Sequence, residues 1–227
     1  FSKKIKSTYI NICFLIFLLI VLQGVIGWFM VKSGLVNDTT VSHYRLSIHL
    51  TTAIIIISSI YWLIMNTNSK KNIIFFKISN KNLPFQILIL LILFQIIMGA
   101  FVSGLDAGKI YQTWPLMGAN YLPNDYSFAN FQSLLELDNH SLVQFYHRNL
   151  AYLIIFYAIF LTIFIYKKKM QKLYFPLKIL LVFLSFQVIL GIFTLLTGLN
   201  IYLASAHQIT SVLLAFSALN LYYFRAK

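Results

Sequence analysis

The chain has 227 residues, of which 59% are hydrophobic and only 10% charged, and its formal net charge is +13. It is too apolar for a soluble domain, and its apolar runs reach the ~20 residues that a helix needs to cross a bilayer. The lysine clusters are short, split between connections and adjacent to apolar spans, which disfavours nucleic-acid binding and reads as a topology signal.

In lipid every backbone polar group must be satisfied within its own segment, so each long apolar run is read as a helix. Six are expected, over 9–31 (α1), 44–65 (α2), 83–103 (α3), 144–166 (α4), 174–197 (α5) and 202–224 (α6). The fold class is therefore an all-α polytopic membrane protein. Lys and Arg accumulate on the cytoplasmic side. Placing 1–8, 66–82, 166–178 and 225–227 inside gathers 14 of the 18 basic residues there, and only Lys32, Arg45, Lys109 and Arg148 stay outside. Both termini are then cytoplasmic, and all five acids and all five histidines fall in the outer half. Starting at Phe1 and followed by Lys3, Lys4 and Lys6, the chain reads as a fragment whose first residues continue an upstream inner loop. Cys13, alone and inside α1, reads as a buried inert thiol.

α1 carries Gln23-x-x-x-Gly27 followed by Gly34, and α5 carries Gln187-x-x-x-Gly191 followed by Gly198, at identical spacing. Each leads through a short turn into a helix with a histidine near its outer start, His49 in α2 and His207 in α6. Small residues on membrane helices are commonly packing surfaces. The shared order of features is what marks α1–α2 and α5–α6 as copies of one unit, with Gln95-x-x-x-Gly99 in α3 a partial third copy. Because α5–α6 follows α3–α4 with its His147-Arg148, the repeat predicts a parent of eight helices in two pseudo-symmetric four-helix halves. Residues 1–66 are then the second half of an N-terminal bundle, 67–82 a cytoplasmic linker, and 83–227 a complete C-terminal bundle with an outer loop over 104–143.

α2, α4 and α6 share one direction, and His49, His147 and His207 each lie about three to five residues past the expected helix start, ~5–8 Å deep. Three histidines at one depth, two of them flanking one bundle, point to metal ligation rather than to interfacial side chains. Imidazole suits iron, copper or zinc. No carboxylate or thiol lies at the depth of His147 and His207 to complete a zinc shell. A haem needs only two axial ligands and an apolar slot, which Phe145, Tyr146, Tyr152 and Phe193 are candidates to line. Haem iron is the first choice. Arg148, next to His147, and Arg45, one turn before His49, are placed to meet haem propionates, with interfacial snorkelling as the alternative. The loop reads as an ordered lid with an amphipathic helix through Phe128, Phe131, Leu134 and Leu135, and His43 and His140 read as solvated loop residues.

Several stretches carry a resemblance to a known family. They are 23–35 (Gln-Gly-Val-Ile-Gly-Trp-Phe-Met-Val-Lys-Ser-Gly-Leu), Tyr44-Arg45-Leu46 with His49-Leu50, and 99–108 (Gly-Ala-Phe-Val-Ser-Gly-Leu-Asp-Ala-Gly). Further on come 113–118 (Thr-Trp-Pro-Leu-Met-Gly), 143–148 (Val-Gln-Phe-Tyr-His-Arg) and 203–208 (Leu-Ala-Ser-Ala-His-Gln). In this order they resemble the haem A synthase family of cytochrome oxidase assembly, whose fold is eight helices in two halves. The resemblance implies that His147 and His207 ligate the iron of a b-type haem, and that His49 ligates the second iron, that of haem O, on the substrate side. The reaction implied is oxidation of a methyl group of haem O to the formyl group of haem A. The partners implied are haem O, the haem O synthase that supplies it, and membrane lipid; a homo-oligomer stays open. The short Ile-, Lys- and Asn-rich chain inclines the location to a bacterial inner membrane over a mitochondrial one. Tyr146 departs from the family, many of whose members have Asp before His-Arg. The first alternative is a membrane b-type cytochrome that only carries electrons; a repeat-built transporter fits less well, because the spans are almost uniformly apolar at midplane.

Overall fold

Helices with almost no charge along their length satisfy their backbones internally and leave apolar side chains on every side, and the described residues form six of them. The computed structural model describes residues 7–32, 40–67, 73, 75, 79–125 and 131–227. Its helices are α1 (Ser7–Val31), α2 (His43–Thr67), α3 (Leu83–Gly104), α4 (His140–Lys167), α5 (Tyr174–Leu196) and α6 (Ile201–Ala226). All six are long and apolar enough to cross a membrane, and no strand occurs among the described residues. The protein is a polytopic integral membrane protein, as expected.

Most helix ends differ from the expected bounds by a few residues, for local reasons. Asn139 caps α4 by accepting from Leu142 N–H, and Asn200 caps α6 by accepting from Tyr202 and Leu203. The exposed first four N–H groups of a helix favour such a side-chain acceptor. His43 and His140 are therefore not loop residues. Each is the first residue of its helix, and His43 Nε2 lies 3.1 Å from Asp138 Oδ1. At the other end α5 closes in a left-handed turn, with Gly198 N–H bonded to Leu195 O and Leu199 N–H to Thr194 O, which satisfies carbonyls the helix leaves over.

α3, α4, α5 and α6 form a four-helix ring in which α3 neighbours α4 and α6, and α5 neighbours α6 and, less extensively, α4. α4 and α6 stand on a diagonal, with little direct contact. α2 packs on α3 and α6, and α1 packs on α2. The joint between α2 and the ring is close: a methyl group on Gly104 would fall 2.7 Å from His43 Cβ and 2.8 Å from its Cα. The core fills the end of the ring away from the long loop, with Phe85, Leu88 and Ile92 of α3, Leu161 and Ile165 of α4, Leu177 and Leu180 of α5, and Leu221 and Tyr222 of α6. Tyr222, fully buried, donates its hydroxyl to Phe75 O and accepts from Gln86 Nε2. Phe14, Phe17, Phe156, Phe186 and Phe193 project from the outer faces, where acyl chains take the place of water. Cys13 is among these exposed residues rather than buried, since α1 is covered by a single neighbour.

The connection between α3 and α4 is ordered by its own hydrogen bonds through residue 125. Thr113 Oγ1 donates to Leu116 O and accepts from Gly118 N–H, Met117 is buried, and Tyr111 donates to Asp125 Oδ1 at 2.5 Å. Of the stretch expected as an amphipathic helix, the described residues hold one 3₁₀ turn, Ser133–Leu135, with Phe131 and Leu135 exposed. Phe128 and Gly34, named in the sequence reading, lie outside the described residues.

Candidate functional site

A glutamine and a glycine four residues apart on a helix share one face, a turn apart. In α1, α3 and α5 that face receives a histidine from the next helix. A methyl group added to Gly27 would sit 3.0 Å from His49 Cε1, one on Gly99 3.3 Å from His147 Cε1, and one on Gly191 2.9 Å from His207 Cε1. One turn earlier the glutamine amide meets the same ring. Gln23 Nε2 lies 3.1 and 3.3 Å from Nδ1 and Nε2 of His49, and Gln95 Nε2 lies 3.2 and 3.3 Å from those of His147. Both amides also donate to the histidine's own backbone carbonyl, at 3.0 and 3.1 Å. Gln187 Nε2 lies 3.3 Å from His207 Nε2.

The partial third copy read in α3 is thus complete in space, seating His147 as α1 seats His49 and α5 seats His207. Its last element was missed because the residue type differs. Asp106 follows Gly99 by the seven positions that separate Gly198 from Gly191, and both take left-handed backbone, with φ of 53° and 70°. Asp is one of the few non-glycine residues that adopt this conformation readily. The three histidines lie deeper than expected: His49 is six residues past His43, His147 seven past His140 and His207 six past Ile201, which is ~9–10 Å along the axis. They still share one level.

His147 and His207 belong to the diagonal helices α4 and α6. His207 Nδ1 is buried without a hydrogen-bond partner. Among the described residues no group of three or more His, Cys, Asp or Glu is placed to hold a metal ion. Two imidazoles across a diagonal, an open ring nitrogen and apolar neighbours fit a group that takes one ligand from each side, such as haem iron, and do not fit a tetrahedral zinc shell. His49 sits between α1 and α2, apart from this pair.

The two arginines have other partners at present. Arg148 Nη1 donates to Thr113 O at 2.9 Å and Leu116 O at 3.2 Å, and Nη2 donates to Tyr111 O at 2.8 Å. Three of its five N–H groups thereby tie the loop to the helix that carries His147. Gln144 Nε2 adds a bond to Tyr111 O at 2.9 Å. Arg45 Nη1 donates to Phe29 O, and its guanidinium stacks 3.8 Å from the Phe29 ring. Of the aromatic residues expected to line the site, Tyr146 donates to Leu134 O, Phe145 packs edge-on against Tyr121, and Phe193 is exposed. The sequence reading overlooked Asp125. Burial pushes its carboxyl pKa up, but hydrogen bonds from Ser141 Oγ and Tyr111 outweigh this and hold it below the ordinary carboxylate value. Burial and the bond to Asp125 raise the pKa of Tyr111.

Fold and site together define a membrane protein made of repeated helix pairs, each seating one histidine between a glycine and a glutamine. Residues 1–219 match the model of the COX15-CtaA family, described as cytochrome oxidase assembly protein, and the chain belongs to that family. It is 43% identical over 221 residues to a heme A synthase of Pelagibacter ubique, covering 94% of this chain and 62% of the relative. Similar relatives named heme A synthase occur in Wolbachia pipientis wMel, 40% identical over 218 residues (96% and 61%), and Flavobacterium johnsoniae, 36% over 223 residues (94% and 63%). The chain spans about three fifths of the length of these relatives.

Proposed function

We propose that the protein works in haem A formation, as the relatives' name says of them, oxidising a methyl group of haem O to the formyl group of haem A for cytochrome oxidase assembly. The observation that carries this reading is the threefold socket. In this reading His147 and His207, from opposite sides of one bundle, would hold a resident b-type haem, and His49 would be a ligand to haem O. Residues 83–227 are then the haem-binding bundle and 1–66 part of a substrate-side bundle, with 67–82 linking them. His147 and His207 would hold this haem, which when bound would supply one-electron transfer. The chain's own residues orient the two imidazoles, keep the inner end of the bundle dry, and close the outer end with a loop tied down by Arg148. The guanidinium N–H groups of Arg148 that the loop leaves over, and Arg45 one turn from His49, are assigned to propionates. Haem O arrives from a haem O synthase in the same bilayer, and the setting is a bacterial inner membrane with both ends of this chain cytoplasmic.

The test is the haem inventory of the chain purified from cells that make haem O but have no other haem A synthase. Haem B together with haem A is the expected result. Purified protein with neither haem would overturn the reading.

A further inference from the structure

We infer that Gln95 and Gln23 are positioning residues that fix the rotation of the His147 and His49 rings by laying an amide on the ring face, and that Gln187 has the same role, less tightly, for His207. The inference rests on the proposed haem ligation and adds to it the groups that set ring orientation. Gln95 Nε2 is almost equally far from Nδ1 and Nε2 of His147, and the same holds for Gln23 and His49. In the plane of the ring a point so placed would collide with Cε1, which lies between the two nitrogens. The amide therefore lies over the face of the ring, and its N–H is directed to the histidine's backbone carbonyl. The Cε1 edge is blocked by Gly99 or Gly27. With an amide on one face and a helix backbone at its Cε1 edge, the ring is restrained from turning about χ2.

A second observation separates this role from mere packing. Oε1 of Gln23, Gln95 and Gln187 is in each case buried without a hydrogen-bond partner, an arrangement that costs stability. Leucine or methionine would fill the same space between membrane helices without an unpaired oxygen. The same cost recurs at all three histidines, so it accompanies the amide N–H that the ring and its carbonyl receive. At His207 the amide contact is to the ring alone, Gln187 Nε2 to Nε2 at 3.3 Å.

The experiment compares wild type, Gln95→Leu and Gln95→Asn, each purified with its haem, by electron paramagnetic resonance of the ferric state, midpoint potential and haem retention. Leu removes the donor at similar volume, and Asn keeps an amide too short to span from ring to carbonyl. Both variants should keep a six-coordinate low-spin optical spectrum while their g values and potential move away from wild type. Haem affinity should fall roughly 10- to 100-fold, the range typical for partners of metal-ligating histidines. Wild-type g values and potential in whichever of the two variants retains haem would overturn the inference alone. A wild-type protein that binds no haem would overturn the ligand assignment and the inference together.

Discussion

Replacing the socket glycines by alanine one at a time tests the site against a graded series built into the chain. At Gly191 the new methyl group meets His207 Cε1 at 2.9 Å and Nδ1 at 3.4 Å, whereas carbon atoms in contact rest at about 3.5–4.0 Å. The ring must retreat by about 0.5 Å, which is the tolerance within which a binding constellation has to be held. Overpacking of this kind costs about 1–3 kcal/mol, and the better helix propensity of Ala returns up to ~1 kcal/mol. A net loss of up to ~2 kcal/mol corresponds to a haem affinity lower by as much as roughly 30-fold. Gly99→Ala, with 3.3 Å to His147 Cε1, requires only a few tenths of an ångström and should cost less. Gly24 lies one residue from Gln23 with nothing within 4 Å of an added methyl group, so Gly24→Ala should leave haem binding intact. The assay is the haem-to-protein ratio after purification and dilution, with thermal unfolding in detergent as a check on folding. Equal haem loss in Gly191→Ala and Gly24→Ala, or full retention with an unchanged spectrum in Gly191→Ala, would refute the socket reading.

His147→Ala and His207→Ala should each abolish the low-spin b-type spectrum, while His49→Ala should keep it and lose haem A formation; a spectrum surviving in both of the first two would remove them as ligands. Arg148→Gln deletes charge-assisted bonds to the carbonyls of Tyr111, Thr113 and Leu116 and should destabilise the closed loop by about 1.5–3 kcal/mol, read as faster amide exchange over 111–118. Exchange at wild-type rates there would show that the loop is held by other contacts. Asp125 binds its proton less readily in the ordered loop than in the unfolded chain, so its contribution is present above the ordinary carboxylate pKa of ~4 and is lost as pH falls through the lower folded value. Tyr111, whose pKa is raised, contributes below ~10 and ceases to as pH climbs past that. Loop protection should therefore be level between these limits and fall outside them, and Asp125→Asn should erase the acid limb; an acid limb unchanged in that variant would place the titration elsewhere.

The number and class of the helices were legible because lipid permits few alternatives: an apolar run of twenty-odd residues has little choice but to be a helix. The glutamine-to-glycine spacing was legible as a repeat, and its meaning was not, since sequence alone does not say which residue a glycine makes room for. The third copy read as partial because Asp106 performs in left-handed backbone what Gly198 performs in α5. The role of Arg148 was half visible. Adjacency to His147 marked it as part of the site, but its three loop carbonyls are 32 to 37 residues away in sequence, and no local pattern encodes such a contact. Asp125 was overlooked for the same reason: its partner Tyr111 lies early in the loop and its partner Ser141 on α4, 14 and 16 residues away.

The level at which the histidines sit bears on how the protein would interact with the energised membrane. They lie ~9–10 Å from one end of helices that are 25 to 28 residues long, and the rest of the ring is closed by a core with almost no solvent-accessible surface at Leu161, Ile165, Leu180 and Leu221. In the proposed oxidation, electrons and protons released at that level would have a short route to the loop side and a long one through the core. Turnover would then be electrically near-silent, displacing little charge across the bilayer, and its rate in sealed vesicles should be indifferent to an imposed membrane potential.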